Sequence, residues 1–99
     1  MKVRWTDEAF ERLIEIEAFI AKDSPARAAL FVEQIIAHVD ASLPGNPHLG
    51  RTVPEIANPE IRELIFRKYR IVYRVADRTI EILTVFEGHR LLRSDEVAG

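Results

Sequence analysis

The sequence predicts an α+β fold, with a helical hairpin packed on one face of a small, mainly antiparallel sheet in the order β-α-α-β-β-β. Three observations carry this expectation. Two stretches of the first half repeat their apolar residues at three- and four-residue steps, the period of an amphipathic helix. One stretch of the second half alternates residue by residue, the period of a strand with one covered face. The strands also cluster late in the chain, which is the pattern of an α+β layer and not of a βαβ repeat.

The elements follow in order. Residues 2–5, Lys-Val-Arg-Trp, have the β-branched and aromatic character of a short strand. Thr6 then offers an N-cap hydroxyl ahead of Asp7 and Glu8, whose carboxylates suit the positive end of a helix. Phe10, Leu13, Ile14 and Ile20, joined by Ile16 and Phe19, recur at helical spacing, so a first helix is expected over about 7–22. Ser24-Pro25 is a second start signal: serine caps free amides, and proline fits the first helical position, where no donor is needed. Ala28, Phe31, Val32, Ile35, Ile36, Val39 and Leu43 form the next apolar stripe, which Pro44-Gly45 ends. So short a gap between two helices implies an antiparallel hairpin.

Residues 44–59 contain four of the five prolines and two of the four glycines, so a long surface loop is expected, with Leu49, Val53 and Ile56 placed to pin it against the core. Three strands should follow at about 61–67, 69–76 and 79–86, the last two joined by the turn Ala76-Asp77-Arg78-Thr79. In the middle one Tyr69, Ile71, Tyr73 and Val75 point toward the helices, while Arg70, Val72, Arg74 and Ala76 point away. In the last one Ile80, Ile82 and Phe86 alternate with Leu83 and Val85, apolar on both faces as in a central strand.

Composition bounds what such a fold can do. A chain of 99 residues fits one domain, 1–99, and 47% hydrophobic with 30% charged residues is enough to build a core and remain soluble. The absence of cysteine excludes disulfides, thiolate nucleophiles and cysteine-bound zinc, and suits a reducing cytoplasm. No apolar run approaches the roughly 20 residues needed to span a bilayer, and the charged start argues against a leader, so a cytoplasmic protein without membrane contact is expected. The net charge of −2 conceals an asymmetry: residues 1–50 hold five Lys/Arg against eight Asp/Glu, and residues 51–99 hold nine against eight. Between Ile61 and Arg74 there are five basic residues and one acidic one, a local +4 that can seek anions.

Within that basic stretch, Arg70 and Arg74 project from one face of a strand and Arg62 and Arg67 come from its neighbour. Guanidinium groups fit phosphate and carboxylate through paired donors. An exposed sheet face also needs charge for solubility alone, and the pattern leaves both readings open. Phe31 and Ile35 belong to the core stripe of the second helix, yet one edge of a helical hairpin is also where a partner's helix or strand docks. His38, His48 and His89 lack the close spacing of metal ligands, no Gly-rich phosphate loop is present, and Ser94-Asp95 reads as polar tail, so no metal and no cofactor are expected.

Read as a succession, several pieces resemble the RelE/ParE superfamily of toxins: Val3-Arg4-Trp5-Thr6, the helical hairpin, Pro47-His48-Leu49-Gly50-Arg51, Pro54-Glu55, Arg62-Glu63-Leu64, Tyr69-Arg70-Ile71-Val72-Tyr73-Arg74-Val75 and Gly88-His89-Arg90. The resemblance implies the toxin of a type II toxin-antitoxin system, of the kind associated with plasmid stabilization and growth inhibition. It implies a cognate, ParD-like antitoxin as partner in a hetero-oligomer. Two activities occur in the family. ParE-like members are DNA gyrase inhibitors and not enzymes, whereas RelE-like members are metal-free endoribonucleases that cut mRNA on the ribosome. Cleavage needs a base, cations for the phosphorane and an acid. Carried over by position, Arg70 and Arg90 match the two family arginines, and His89 is the candidate base of a ribonuclease. The chain departs from the RelE pattern where Arg62, Glu63 and Leu64 stand in place of paired lysines, and where the tail has no tyrosine. The segment 47–55 and the Gly88-His89-Arg90 ending are more ParE-like, so gyrase inhibition leads, with the ribonuclease and a non-toxic antitoxin-binding relative as alternatives. The residues expected to meet target or antitoxin are Arg62, Arg67, Arg70, Arg74, Arg90, Phe31 and Ile35.

Overall fold

The computed structural model describes residues 1–88. Its elements are β1 (Lys2–Trp5), α1 (Asp7–Ala21), α2 (Pro25–Ser42), β2 (Arg51–Thr52), β3 (Ile61–Phe66), β4 (Tyr69–Val75) and β5 (Thr79–Glu87). Both helix starts form as their side chains dictate. The Thr6 hydroxyl accepts from the Ala9 amide at 3.2 Å and donates to the Ile82 carbonyl at 2.7 Å, which fixes the first turn of α1 to β5. The Ser24 hydroxyl accepts from the Arg27 amide at 3.2 Å, with Pro25 opening α2.

Five strands form one mixed sheet in the order β1-β5-β4-β3-β2. The β1–β5 pair is parallel and the others are antiparallel. Sequence periodicity did not find β2, because two residues are too few to show a period; its register is Arg51 opposite Glu63 and Thr52 opposite Arg62.

The main core lies between the hairpin and one sheet face: Leu13 of α1, Phe31, Ile35 and Val39 of α2, and Leu64, Ile71, Tyr73, Ile80 and Ile82 of the sheet. On α1 the expected stripe is shifted. Ala9 and Leu13 are buried, Ile16 and Ile20 pack at the edge, and Phe10, Ile14 and Phe19 are exposed. The spacing 9-13-16-20 is the helical period; Phe10 and Ile14 stand one residue along from it, about 100° around the helix.

In β5 the alternation is interrupted. Ile82 lies opposite Tyr73 and Thr84 opposite Val72, which leaves Leu83 as the extra residue of a β-bulge. Val85 therefore joins Ile80 and Ile82 in the main core, while Phe86 goes to the other face, the reverse of the simple period-two expectation. That other face is not open to solvent either. Val53 and Ile56 of the loop before β3 fold over Ile61, Val72, Leu83 and Phe86 to make a second, smaller core. Among the described residues no helix is long and apolar enough to cross a membrane.

Candidate functional site

The expected arginine surface does not form as one patch. Register puts Arg62 opposite Tyr73, on the helix side of the sheet, and places Arg70 and Arg74 on the opposite side. Arg62 reaches along the sheet edge and donates to the carbonyls of Pro59 at 3.0 Å, Gly50 at 3.0 Å and His48 at 3.4 Å. It is a brace for the loop. Arg74 pairs with Glu81 of the neighbouring strand at 2.6 Å, and Arg4 of β1 binds the same carboxylate, so one row of charge crosses three strands. Hydrogen bonding from Arg4, then from Arg74, holds the Glu81 carboxyl below its ordinary range. A depressed carboxyl pKa contributes stability that is present above the unfolded value and lost as pH falls through the folded one. Glu81→Gln should therefore lower stability by about 1 kcal/mol at neutral pH, as for a partly exposed ion-pair row, with the difference shrinking below the ordinary carboxylate range in denaturant titrations run across pH.

Arg70 is the clearest departure from expectation. Its side chain is 5% exposed because the loop carrying Val53 and Ile56 closes over it. The guanidinium donates to both Glu55 oxygens at 2.9 Å and to Glu63 at 2.6 and 2.7 Å, and lies 4.9 Å from the Phe86 ring. The Glu55 hydrogen bonds, then those of Glu63, raise its pKa against the opposing effect of burial. Glu63 is itself fully buried and also takes the guanidinium of Arg51, whose side chain is 64% exposed. Among the described residues two carboxylates thus meet two guanidiniums in a network that locks the loop to the sheet.

A neutral stitch lies alongside. The buried Tyr73 hydroxyl accepts from the Gly50 amide at 2.9 Å, and burial raises its pKa while the Gly50 bond opposes that. The pieces Pro47–Arg51, Pro54-Glu55, Arg62–Leu64 and Tyr69–Val75 therefore meet in space as one clamp.

Of the other expected residues, Ile35 has no exposed surface, and Phe31 is buried but forms a wall of an open groove. His89 and Arg90 lie outside the described residues. The groove, about 490 Å³, opens between the C-terminal end of α1, the start of α2 and the β3–β4 turn. Phe19, Ile20, Phe31 and Tyr69 line it, and Arg27, Arg67, Lys68 and Asp23 stand around them. A second hollow of about 250 Å³ shares Phe19 and Tyr69 and continues past Ile16 toward Glu15 and Glu87. Arg67 adopts φ 54° as the first residue of the two-residue turn, a position that normally takes glycine, and it costs about 1–3 kcal/mol for a side chain to be held there. Sequence reading places Phe19 on the apolar stripe of the first helix, counts Lys68 only within the basic stretch and passes over Arg27. Two signals point to them: Phe19 is off the 9-13-16-20 stripe, and Arg27 occupies a first helical turn, where carboxylates are favoured. Among the described residues no three His, Asp or Glu side chains gather as a metal site.

Known proteins resemble this chain both in sequence and in fold. The family model described as the ParE toxin of type II toxin-antitoxin system, parDE, matches residues 3–92. A protein of Sinorhizobium fredii named "Putative toxin Y4kP" is 40% identical over 93 residues, with 90% of each chain covered. A chain from a structure titled "Chromosomal ParDE TA system from P. aeruginosa" superposes with a TM-score of 0.71, covering 88% of this chain and 95% of that one. At 24% identity this last likeness shows a shared fold.

Proposed function

This chain belongs to the ParE toxin family of type II toxin-antitoxin systems, and from that membership we propose that it arrests growth by inhibiting DNA gyrase until a cognate, ParD-like antitoxin binds and silences it in a hetero-oligomer. The single observation that carries the choice of target is the burial of Arg70. A RelE-like ribonuclease would need that guanidinium free to meet a phosphorane. Here it is committed to Glu55 and Glu63. The strand that RelE-like toxins furnish with lysines carries Glu63 instead, which occupies two guanidiniums and adds no free cation. Inhibition of a large enzyme asks for a docking surface, which such a locked sheet and loop can present without a catalytic cluster.

The test is direct. Purified chain titrated into a gyrase supercoiling assay should suppress supercoiling and accumulate cleaved DNA, and an equimolar amount of the short protein encoded beside it should restore activity. Undiminished supercoiling at excess toxin, with transcripts cut on translating ribosomes, would overturn the reading in favour of the ribonuclease. In that case Arg90→Ala and His89→Ala should abolish cleavage.

A further inference from the structure

We propose that a row of charge on the sheet face away from the helices, Lys2 and Arg4 of β1 with Arg74 of β4, holds the phosphate backbone of the duplex DNA that the target enzyme carries. The inference rests on the gyrase reading and adds to it a direct contact with nucleic acid. Lys2 and Arg4 point away from the helices, because Val3 and Trp5, which alternate with them, pack on the main core. Register brings Arg4 level with Glu81, and Glu81 level with Arg74. Both guanidiniums bond that one carboxylate, Arg74 at 2.6 Å, which steadies them without covering them: the Arg4 side chain is 58% exposed and that of Arg74 32%.

Protection of the sheet edge does not account for the row. Charge on a free edge strand such as β1 guards it against pairing with other chains, but β4 lies between β5 and β3 and needs no such guard. The loop that covers Ile61, Val72, Leu83 and Phe86 leaves Arg74 partly open. Among the described residues three cations meet one carboxylate there, and Asp77 and Arg78 in the adjoining turn cancel. The chemistry of the surroundings then selects the occupant. Trp5 packs on the helix side and Phe86 is buried, so the bases of a single strand find no ring to stack on. An acidic protein surface asks for an apolar anchor beside the charges, and the apolar neighbours of the row, Ile61 and Leu83, are buried. A duplex presents phosphates alone. Lys2 and Arg4 stand about 7 Å apart along their strand, and Arg4 and Arg74 about 10 Å apart across the sheet, separations that successive phosphates of a backbone can meet. Contacts of this kind fix position and carry no sequence preference.

The experiment measures binding of the full chain to gyrase alone and to gyrase loaded with duplex DNA, across a range of salt, with thermal midpoints recorded for each protein. The wild type should bind the loaded enzyme more tightly, by a margin that shrinks as salt rises. Lys2→Gln/Arg4→Gln should weaken binding to the loaded enzyme about tenfold at low salt and flatten the slope of log affinity against log salt by about two, while binding to gyrase alone is unchanged. Glu81→Gln removes the carboxylate of the row, so it should melt lower than the wild type and yet bind the loaded enzyme more tightly, a pairing that misfolding cannot mimic. Equal binding of all three proteins to the loaded enzyme overturns the row and leaves gyrase standing as the target. A wild type that binds neither form and leaves supercoiling intact overturns both. A loss by the double variant that is as large on gyrase alone overturns DNA as the occupant, in favour of an acidic surface of the enzyme.

Discussion

Arg70→Ala is expected to cost about 3–5 kcal/mol of folding stability, the effect of stripping the cation from buried carboxylates. Glu63 has no exposed surface and Glu55 is half-buried, so neither can recover by turning to water the hydration that Arg70 replaces. Arg51 still reaches Glu63 from the solvent side, which places the loss toward the lower end of that range. Arg70→Lys keeps the charge but not the fork that serves two carboxylates at once, so it should fall between the wild type and alanine. Chemical denaturation of the three proteins measures the series. An alanine variant as stable as the wild type but harmless to cells would instead place Arg70 at the target.

The second large effect is expected at Gly50. A Cβ there would lie 2.7 Å from the Tyr73 hydroxyl and 2.9 Å from the Glu63 carbonyl carbon, and would press on the Glu63 carbonyl oxygen. Two of these neighbours are backbone of β3, which cannot swing aside without breaking the β2–β3 pairing. Gly50→Ala should destabilise by about 1–3 kcal/mol or slightly more, as overpacking does. It should also free the loop, seen as faster amide exchange at Arg51 and Val53. Tyr73→Phe removes the acceptor of the same amide without adding volume. It should cost about 1–3 kcal/mol if that amide stays buried, with less disturbance of the loop.

The helices, the three long strands and the order of elements were legible because each carries a repeat: caps at Thr6 and Ser24, apolar spacing on α2, alternation on β4. The direction of Arg70 was legible too, since it does point away from Ile71. Its exposure was not, because what covers that face is a proline-rich loop with no period, held by partners fifteen and seven residues away in sequence. Val72 and Leu83 on the supposedly outer face were the available hint that something apolar lay over it. The bulge at Leu83 was invisible for a related reason: both faces of β5 are apolar, so shifting Val85 and Phe86 across the sheet leaves the pattern of residue types unchanged. As for the groove, the +4 stretch announced Arg67 and Lys68. It could not show that the end of α1 and the start of α2 bring Phe19 and Arg27 beside them.

The pairing of β1 with β5 constrains when this protein comes into being. Lys2 aligns with Thr79 and Trp5 with Ile82, so the first strand has no neighbour until nearly eighty residues have been translated and have cleared the ribosomal tunnel. β5 also separates β1 from β4, and a nascent or truncated chain lacking it has no central strand on which to assemble. Such long-range closure makes assembly late and comparatively slow. A chain interrupted before Thr79 is therefore expected to leave both β1 and β4 without their shared neighbour.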